Sequence, residues 1–175
     1  KSDEKDGMKG LVQIDEFTVG GKEENKQGRS YDAKKKKVVC AVELTDEWKV
    51  KRFYALKIED FSAKSLRTIF DKHIDKSAEI VTDDWKGYRP IKDFNITQIK
   101  SDNGKNFPVL HTMIHQVKSW LRTTYSWVSD SNINRYLSEF CFRINRSQSK
   151  LTIFNNLIKR MVDRNPISQA DLVCS

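Results

Sequence analysis

The sequence has few cysteines and no long hydrophobic run. Its three cysteines, Cys40, Cys141 and Cys174, lie far apart, and none forms the CxxC pair that marks many zinc sites. This usage argues against a disulfide framework and indicates a reducing compartment. No apolar stretch approaches the roughly 20 residues that cross a membrane, and the polar start, KSDEKDGMKG, has no signal-peptide core. We therefore expect a cytoplasmic protein without a membrane partner.

Acidic residues are outnumbered by basic ones. The chain has 24 Asp and Glu against 32 Lys and Arg, which gives a formal net charge of +8 and a pI of about 9.3. Such a balance favours polyanionic partners, nucleic acid foremost, although excess lysine also serves solubility. With 175 residues, 38% of them hydrophobic, and no internal repeat or long linker, the chain suits one compact domain.

Three strand-like runs follow one another in the first third of the chain. They span 11–19, 38–44 and 50–58, and they are rich in β-branched and aromatic residues. Gly20 and Gly21 end the first run, and a polar, lysine-rich segment at 22–37 reads as a hairpin excursion. Consecutive strands separated by turns predict an antiparallel meander.

Later segments alternate between helical and extended patterns. Ser62 is a plausible N-cap for a helix that runs to about residue 75. An apolar strand at 78–82 and a weaker one at 95–99 follow. Three further segments have the apolar spacing of amphipathic helices: 109–124 after Pro108, 133–146 and 151–162.

This order of elements predicts the α/β class. It matches an RNase H-like (retroviral-integrase-like) mixed sheet, in which an antiparallel meander is joined by a parallel fourth strand and flanked by helices. Another α+β fold is compatible with the same order.

Two aspartates stand out by their positions. Asp15 lies inside the apolar first strand, where a carboxylate is costly to desolvate unless a metal or another cation accompanies it. Asp83 follows the fourth strand, and open α/β sheets place ligands at the carboxyl ends of their strands. Alone, Asp15 is explained by a water-facing sheet edge and Asp83 by a helix cap. Neighbouring first and fourth strands would bring both to one site, whereas alternation should send Glu16 to the opposite face, out of reach.

Four short motifs occur in an order that makes the pattern specific: VQIDEFTVGGK at 12–22, VTDDWKGY at 81–88, TTYSWVS at 123–129 and YLSEFCFRIN at 136–145. They resemble the insertion-sequence transposases of the DDE superfamily, in the group whose full-length members carry an N-terminal zinc ribbon. The resemblance implies a transposase catalytic domain at 11–147, between a polar tail at 1–10 and a C-terminal helical extension at 148–175. The implied activity is metal-dependent cleavage and transfer of DNA strands.

The resemblance also assigns a site. Asp15 and Asp83 correspond to the first two catalytic acids, and His111 stands where the family most often has Glu and in some subgroups Asn or His. Lys118 follows seven residues later, two helical turns along the same face. The resemblance implies a two-metal site for Mg²⁺ or Mn²⁺ on Asp15, Asp83 and His111, and the imidazole shifts the preference towards Mn²⁺.

Two other side chains compete for the third position. His115 lies four residues after His111, but no HExxH glutamate accompanies the pair to support a zinc site. Glu139 is an acidic rival, although an ion pair with Arg143 at i+4 explains it adequately.

Double-stranded DNA, as element ends and target, is the partner that the resemblance implies. A homodimer on DNA is expected because two ends must be brought together, and the location would be nucleoid-associated. Candidate backbone contacts are Lys22, Lys118, Arg122, Arg143 and Arg146. Trp85, Trp120, Tyr125 and Trp127 are available either for base stacking or for the core.

Two other functions remain open at this point. One is an RNase H-like nuclease or resolvase that does not join strands. The other is a catalytically inactive transposase remnant that binds DNA, which the histidine in place of glutamate suggests.

Overall fold

The computed structural model describes residues 6–20, 35–100, 102, 105–147 and 152–168. Within these residues five strands form one sheet in the order β3-β2-β1-β4-β5. The strands are β1 (Leu11–Val19), β2 (Lys36–Leu44), β3 (Val50–Ile58), β4 (Glu79–Asp83) and β5 (Asn95–Ile99). The first three pair as an antiparallel meander, β4 runs parallel to β1, and β5 runs parallel to β4. The predicted α/β class with a mixed sheet is confirmed.

The predicted hairpin excursion at 22–37 falls largely outside the described residues. Of that segment the structure describes 35–37, and β2 begins at Lys36, two residues before the predicted start.

The centre of the sheet is apolar on both sides. Residues 38–42 of β2 are all fully buried, as expected for an inner strand with both faces covered.

Four α-helices are present in the described part of the chain: α1 (Ala63–His73), α2 (Pro108–Thr124), α3 (Ile133–Arg146) and α4 (Ile153–Val162). A short 3₁₀ helix spans Lys86–Tyr88. Ser62 caps α1 as predicted, since its side chain accepts a hydrogen bond from the backbone N–H of Ser65. None of these helices has the length and apolar character needed to cross a bilayer.

Successive residues of β3 show which helices cover which face. The ring of Tyr54 stacks on His73 of α1, with ring centroids 3.9 Å apart. The ring of Phe53 packs edge-on against Phe140 of α3, with centroids 5.9 Å apart. Because neighbouring residues of a strand point to opposite faces, α1 and α3 lie on opposite sides of the sheet.

The open edge of β3 is closed by side chains of α3. Asn145 pairs with the backbone of Phe53, accepting from its N–H at 2.7 Å and donating to its carbonyl at 3.0 Å. Asn134 accepts from the N–H of Lys57 at 2.8 Å. These bonds satisfy edge groups that would otherwise be available for pairing with another strand.

The last helix contributes nothing to the buried core. The large apolar side chains of α4 are exposed; for example, Phe154 is 69% and Met161 65% accessible. The apolar spacing thus predicted the helix correctly, and its apolar side is not covered by any other described element.

Candidate metal centre

The site begins with the parallel pairing of β1 and β4. Their register runs from Leu11 opposite Glu79 to Ile14 opposite Thr82. The next residues along the two strands are Asp15 and Asp83, so both carboxylates stand at the same level where β4 ends. The predicted convergence of these two side chains is what the structure shows.

Three carboxylates cluster at this point. Asp15, Glu16 and Asp83 each offer an oxygen, and these oxygens all lie within 4.8 Å of one another. The expectation that Glu16 stays out of reach is therefore wrong. Pairing between β1 and β4 ends at Ile14 and Thr82, so no strand lies beside Glu16 on that side to separate the two faces of the sheet.

A buried tyrosine donates a hydrogen bond to the Glu16 carboxylate. Glu16 is 8% exposed, and its Oε2 accepts a 2.6 Å hydrogen bond from the hydroxyl of the fully buried Tyr88. Burial, followed by the nearby charge of Glu16, raises the pKa of the Tyr88 hydroxyl well above its ordinary value, so Tyr88 stays a donor at neutral pH. Tyr88 is the last residue of the second sequence motif, VTDDWKGY. Its place in that motif is the sequence signal that could have identified it as a residue of the site.

The two aspartates are oriented by local backbone bonds. Asp15 Oδ1 accepts from the N–H of Glu16 at 2.7 Å. Asp83 Oδ1 accepts from the N–H of Trp85 at 3.1 Å, which makes Asp83 both a turn-capping residue and a member of the cluster. Gln98 of β5 donates to the carbonyls of Asp83 and Trp85, which fixes the turn that follows β4.

His111 approaches the cluster from the first turn of α2. Its Nε2 lies 3.6 Å from Asp15 Oδ2, and its side chain is 38% exposed. Burial, then the charges of His115 and Lys118, lowers the pKa of the imidazole below its ordinary value of 6.5. A neutral imidazole is the form that binds metals. Among the described residues, the set whose ligand atoms all lie within 4.8 Å of one another holds the three acids and does not include His111.

A cavity of about 600 Å³ opens beside these groups. Its polar lining comprises Asp15, Glu16, Thr18, His111, His115 and Lys118, and its apolar lining comprises Phe17, Phe61 and Ile114. Lys118 Nζ lies 5.2 Å from the centroid of the Phe17 ring, and burial lowers the pKa of this amine. His111 and Lys118 thus share one cavity, as their spacing on a helix predicts.

The alternative candidate for the third ligand position, Glu139, lies on a different helix from His111. Glu139 of α3 accepts from Arg143 at 2.8 Å and from the Tyr125 hydroxyl at 2.8 Å, and it does not line this cavity. The predicted intrahelical ion pair accounts for it.

The predicted contacts to the DNA backbone differ in their surroundings. Arg143 is engaged in the ion pair with Glu139, Arg122 is exposed on α2, and the guanidinium of Arg146 lies 4.0 Å from the centroid of the Phe142 ring. Lys22 lies outside the described residues.

The aromatic candidates divide between packing and exposure. Trp120 packs edge-on against Tyr125, which stacks on Tyr136 at 3.8 Å. Trp85 is partly buried and donates from Nε1 to the carbonyl of Phe61. Trp127 is 78% exposed, so its ring is accessible to a base.

The donor set suits a divalent cation. Clustered carboxylates repel one another unless a cation balances them, and hard cations such as Mg²⁺ take oxygen ligands. An adjacent neutral imidazole is compatible with Mg²⁺ and better suited to Mn²⁺. Asp15, Glu16 and Asp83 with His111 at their side therefore fit the metal that the sequence motifs imply.

One comparison with known proteins gave a match. The family model described as an ISXO2-like transposase domain matches residues 7–145, a span that contains all five described strands and most of α3. A comparison with curated proteins gave no match.

Proposed function

Because the chain belongs to the family of ISXO2-like transposase domains, we propose that it is the catalytic domain of a DNA transposase that cleaves DNA strands and transfers them to a target. The observation that carries the proposal is the meeting of Asp15 and Asp83 at the ends of two parallel strands. The order of the five strands, with an antiparallel meander beside two parallel strands, supports assigning the domain at 11–147 to the RNase H-like fold.

Asp15, Asp83 and His111 are the proposed ligands of a two-metal site for Mg²⁺ or Mn²⁺. Glu16 adds negative charge to the same site from the interior side. When bound, the metal ions supply Lewis-acid stabilisation of the charge that develops on a transferring phosphoryl group, and they help to activate the attacking oxygen.

The other lining residues position the substrate. The Nζ of Lys118, in the same cavity as Asp15 and His111, would bind a phosphate beside the scissile bond. Phe17, Phe61 and Ile114 form an apolar wall that limits the access of water to one side of the carboxylates. Arg122, exposed on α2, is a further proposed contact to the DNA backbone.

The geometry of His111 argues for an active enzyme over an inactive DNA-binding remnant. His111 Nε2 lies 3.6 Å from Asp15 Oδ2, and its lowered pKa favours the neutral form that binds metals, so this side chain can replace the usual glutamate as a ligand. Because transposition must bring two element ends together, a dimer on DNA is part of the proposal.

Incubation of the protein with supercoiled plasmid and either Mn²⁺ or Mg²⁺ tests this function. We expect nicking that requires a divalent metal, and joining of pre-cleaved ends to a target plasmid. Metal-dependent nicking without any joining would identify a nuclease or resolvase instead. Binding of the plasmid with no cleavage under either metal would identify an inactive remnant.

A further inference from the structure

The candidate metal centre contains one carboxylate that the sequence pattern does not assign to it. The pattern implies a metal on Asp15, Asp83 and His111. In the structure, an oxygen of Glu16 lies within 4.8 Å of an oxygen of each aspartate. Oxygens that share one Mg²⁺ lie about 3 to 4 Å apart, since each is about 2.1 Å from the ion. Short shifts of the side chains would therefore bring all three carboxylates into contact with one cation.

Asp15 and Glu16 reach this point from opposite sides of the sheet. Asp15 lies on the side of α2, because His111 Nε2 is 3.6 Å from its Oδ2. Glu16 lies on the side of α1, because its hydrogen-bond partner Tyr88 packs against Phe70 of that helix, with ring centroids 6.3 Å apart. The pairing of β1 with β4 stops before both residues, so no strand separates their side chains there. A cation at the end of β4 would have ligands from both sides of the sheet.

Glu16 carries its charge in a place where carboxylates repel one another. It is largely buried, and its Oε2 accepts a 2.6 Å hydrogen bond from the Tyr88 hydroxyl. That bond offsets part of the cost of burying a carboxylate, while the nearby Asp15 and Asp83 add repulsion. A divalent cation shared by the three groups would turn this repulsion into attraction.

The hydrogen bond from Tyr88 is compatible with metal binding by Glu16. The two oxygens of an ionised carboxylate have about four lone-pair sites between them, so one donor at Oε2 does not exhaust the group. Hydrogen bonds to a ligating carboxylate are the usual means by which proteins orient it. The Tyr88 hydroxyl thus has the place and the chemistry of a group that holds a ligand.

We propose that Glu16 is a direct ligand of the metal centre and makes the site suitable for Mg²⁺, an inference that rests on the proposed function. Mg²⁺ prefers oxygen ligands, whereas Mn²⁺ accepts oxygen and imidazole nitrogen. With His111 at the third position, Asp15 and Asp83 supply only two carboxylates. Glu16 supplies the third, and Tyr88 is the positioning residue that orients it.

Infrared spectroscopy of the full chain, labelled with ¹³C at its glutamate side-chain carboxylates, tests ligation directly. Metal binding shifts the stretching bands of a carboxylate, and every other proposed ligand is an aspartate or a histidine. We expect a labelled band that shifts when Mg²⁺ or Mn²⁺ is added to the wild type and that is missing from Glu16→Gln. Glu79→Gln is the matched control, since Glu79 is an exposed glutamate at the start of β4, and it should keep the shifted band.

Calorimetric titration with each metal gives a second readout. Changes to a residue that only supports a ligand cost roughly 10- to 100-fold in metal affinity, so Glu16→Gln should lower Mg²⁺ affinity by at least about tenfold. The loss of Mn²⁺ affinity should be smaller, because His111 remains as a nitrogen ligand.

The melting temperature without metal separates ligation from a structural role. Glu16→Gln keeps a carbonyl oxygen that can accept from Tyr88, and it removes repulsion among the carboxylates. Its melting temperature without metal should therefore equal or exceed that of the wild type. A ligand that is costly to the metal-free protein has this signature, and a carboxylate needed only for stability has the opposite one.

Three results would overturn the inference. The first is the absence of any shifted glutamate band in wild-type protein that binds metal in the calorimeter. The second is a shifted band that persists in Glu16→Gln. The third is wild-type affinity of Glu16→Gln for both metals, which would make Glu16 only a structural partner of Tyr88. If the wild type binds neither metal, the metal site of the proposed function itself fails, so the two failures are distinguishable.

Discussion

The hydroxyl of Tyr88 donates a 2.6 Å hydrogen bond to Oε2 of Glu16 in the interior of the protein. The two residues are separated by 72 positions in sequence. The bond fixes one end of the carboxylate whose other neighbours are Asp15 and Asp83. It links a core aromatic residue directly to the candidate metal centre.

Tyr88→Phe should lower the free energy of unfolding by about 1–3 kcal/mol, because a buried carboxylate loses a donor. Urea denaturation measures this change. Mn²⁺ affinity, measured by calorimetry, should also fall, since Glu16 is held less firmly. Tyr136→Phe, which removes the hydroxyl of a partly buried tyrosine outside the site, should change stability by less than about 0.5 kcal/mol. Equal stability losses in the two variants would contradict a special role for Tyr88.

Asp15→Asn and Asp83→Asn should each abolish metal-dependent nicking while leaving DNA affinity intact, because each removes a charged ligand from the cluster. Each should also lose the rise in melting temperature that Mn²⁺ produces in the wild type. Asp84→Asn is the matched control, since Asp84 pairs with Arg89 at 3.1 Å on the surface. Variants of Asp15 and Asp83 that nick at wild-type rates would disprove the site.

His111→Glu should retain some nicking activity and shift the preferred metal from Mn²⁺ towards Mg²⁺, because it replaces a nitrogen ligand with oxygen. The ratio of single-turnover rates in the two metals reports the shift. His115→Glu serves as the control on the same helix and in the same cavity. An unchanged ratio for His111→Glu, or an equal shift for His115→Glu, would argue against ligation by His111.

Glu43→Gln should flatten the acid side of the stability profile. Burial alone would raise the pKa of the Glu43 carboxyl, but hydrogen bonds from Arg52 and Lys51 outweigh it and hold the pKa below the ordinary 4.5. The native state thus binds the proton more weakly than the unfolded chain. The stabilisation is complete above pH 4.5 and is lost as the pH falls through the lower native value.

At neutral pH the same change should cost about 3 kcal/mol, because the partner cation Arg52 is left largely buried without its carboxylate. Urea unfolding across the acid range measures both effects. Glu47→Gln breaks a pair with Lys49 in which both side chains are more than 70% exposed, and should have little effect at any pH. Parallel profiles for Glu43→Gln and the wild type would refute the assignment.

Most elements followed from local patterns. The bounds predicted for the strands at 11–19, 50–58 and 95–99 and for the helix at 133–146 are those observed. The family inferred from four short motifs is confirmed by the match over residues 7–145. These features were predictable because side-chain periodicity and β-branched content act over a few residues.

The exposure of α4 and the position of Glu16 were not predictable in this way. Apolar spacing defines a face of a helix, but not whether another element covers that face. Alternation along β1 predicts the direction in which the Glu16 side chain leaves the strand, but not that the pairing of β1 with β4 ends at Ile14, two residues before Glu16. Both depend on contacts between segments far apart in the chain.

The sequence by itself determined most of the elements and the family, and it singled out the two aspartates that meet where β4 ends, because each of these features is encoded in short runs of adjacent residues. Only the tertiary structure decided that Glu16 joins those aspartates and that Tyr88 holds it. Charges act through space, so which of them meet depends on how distant strands and helices pack.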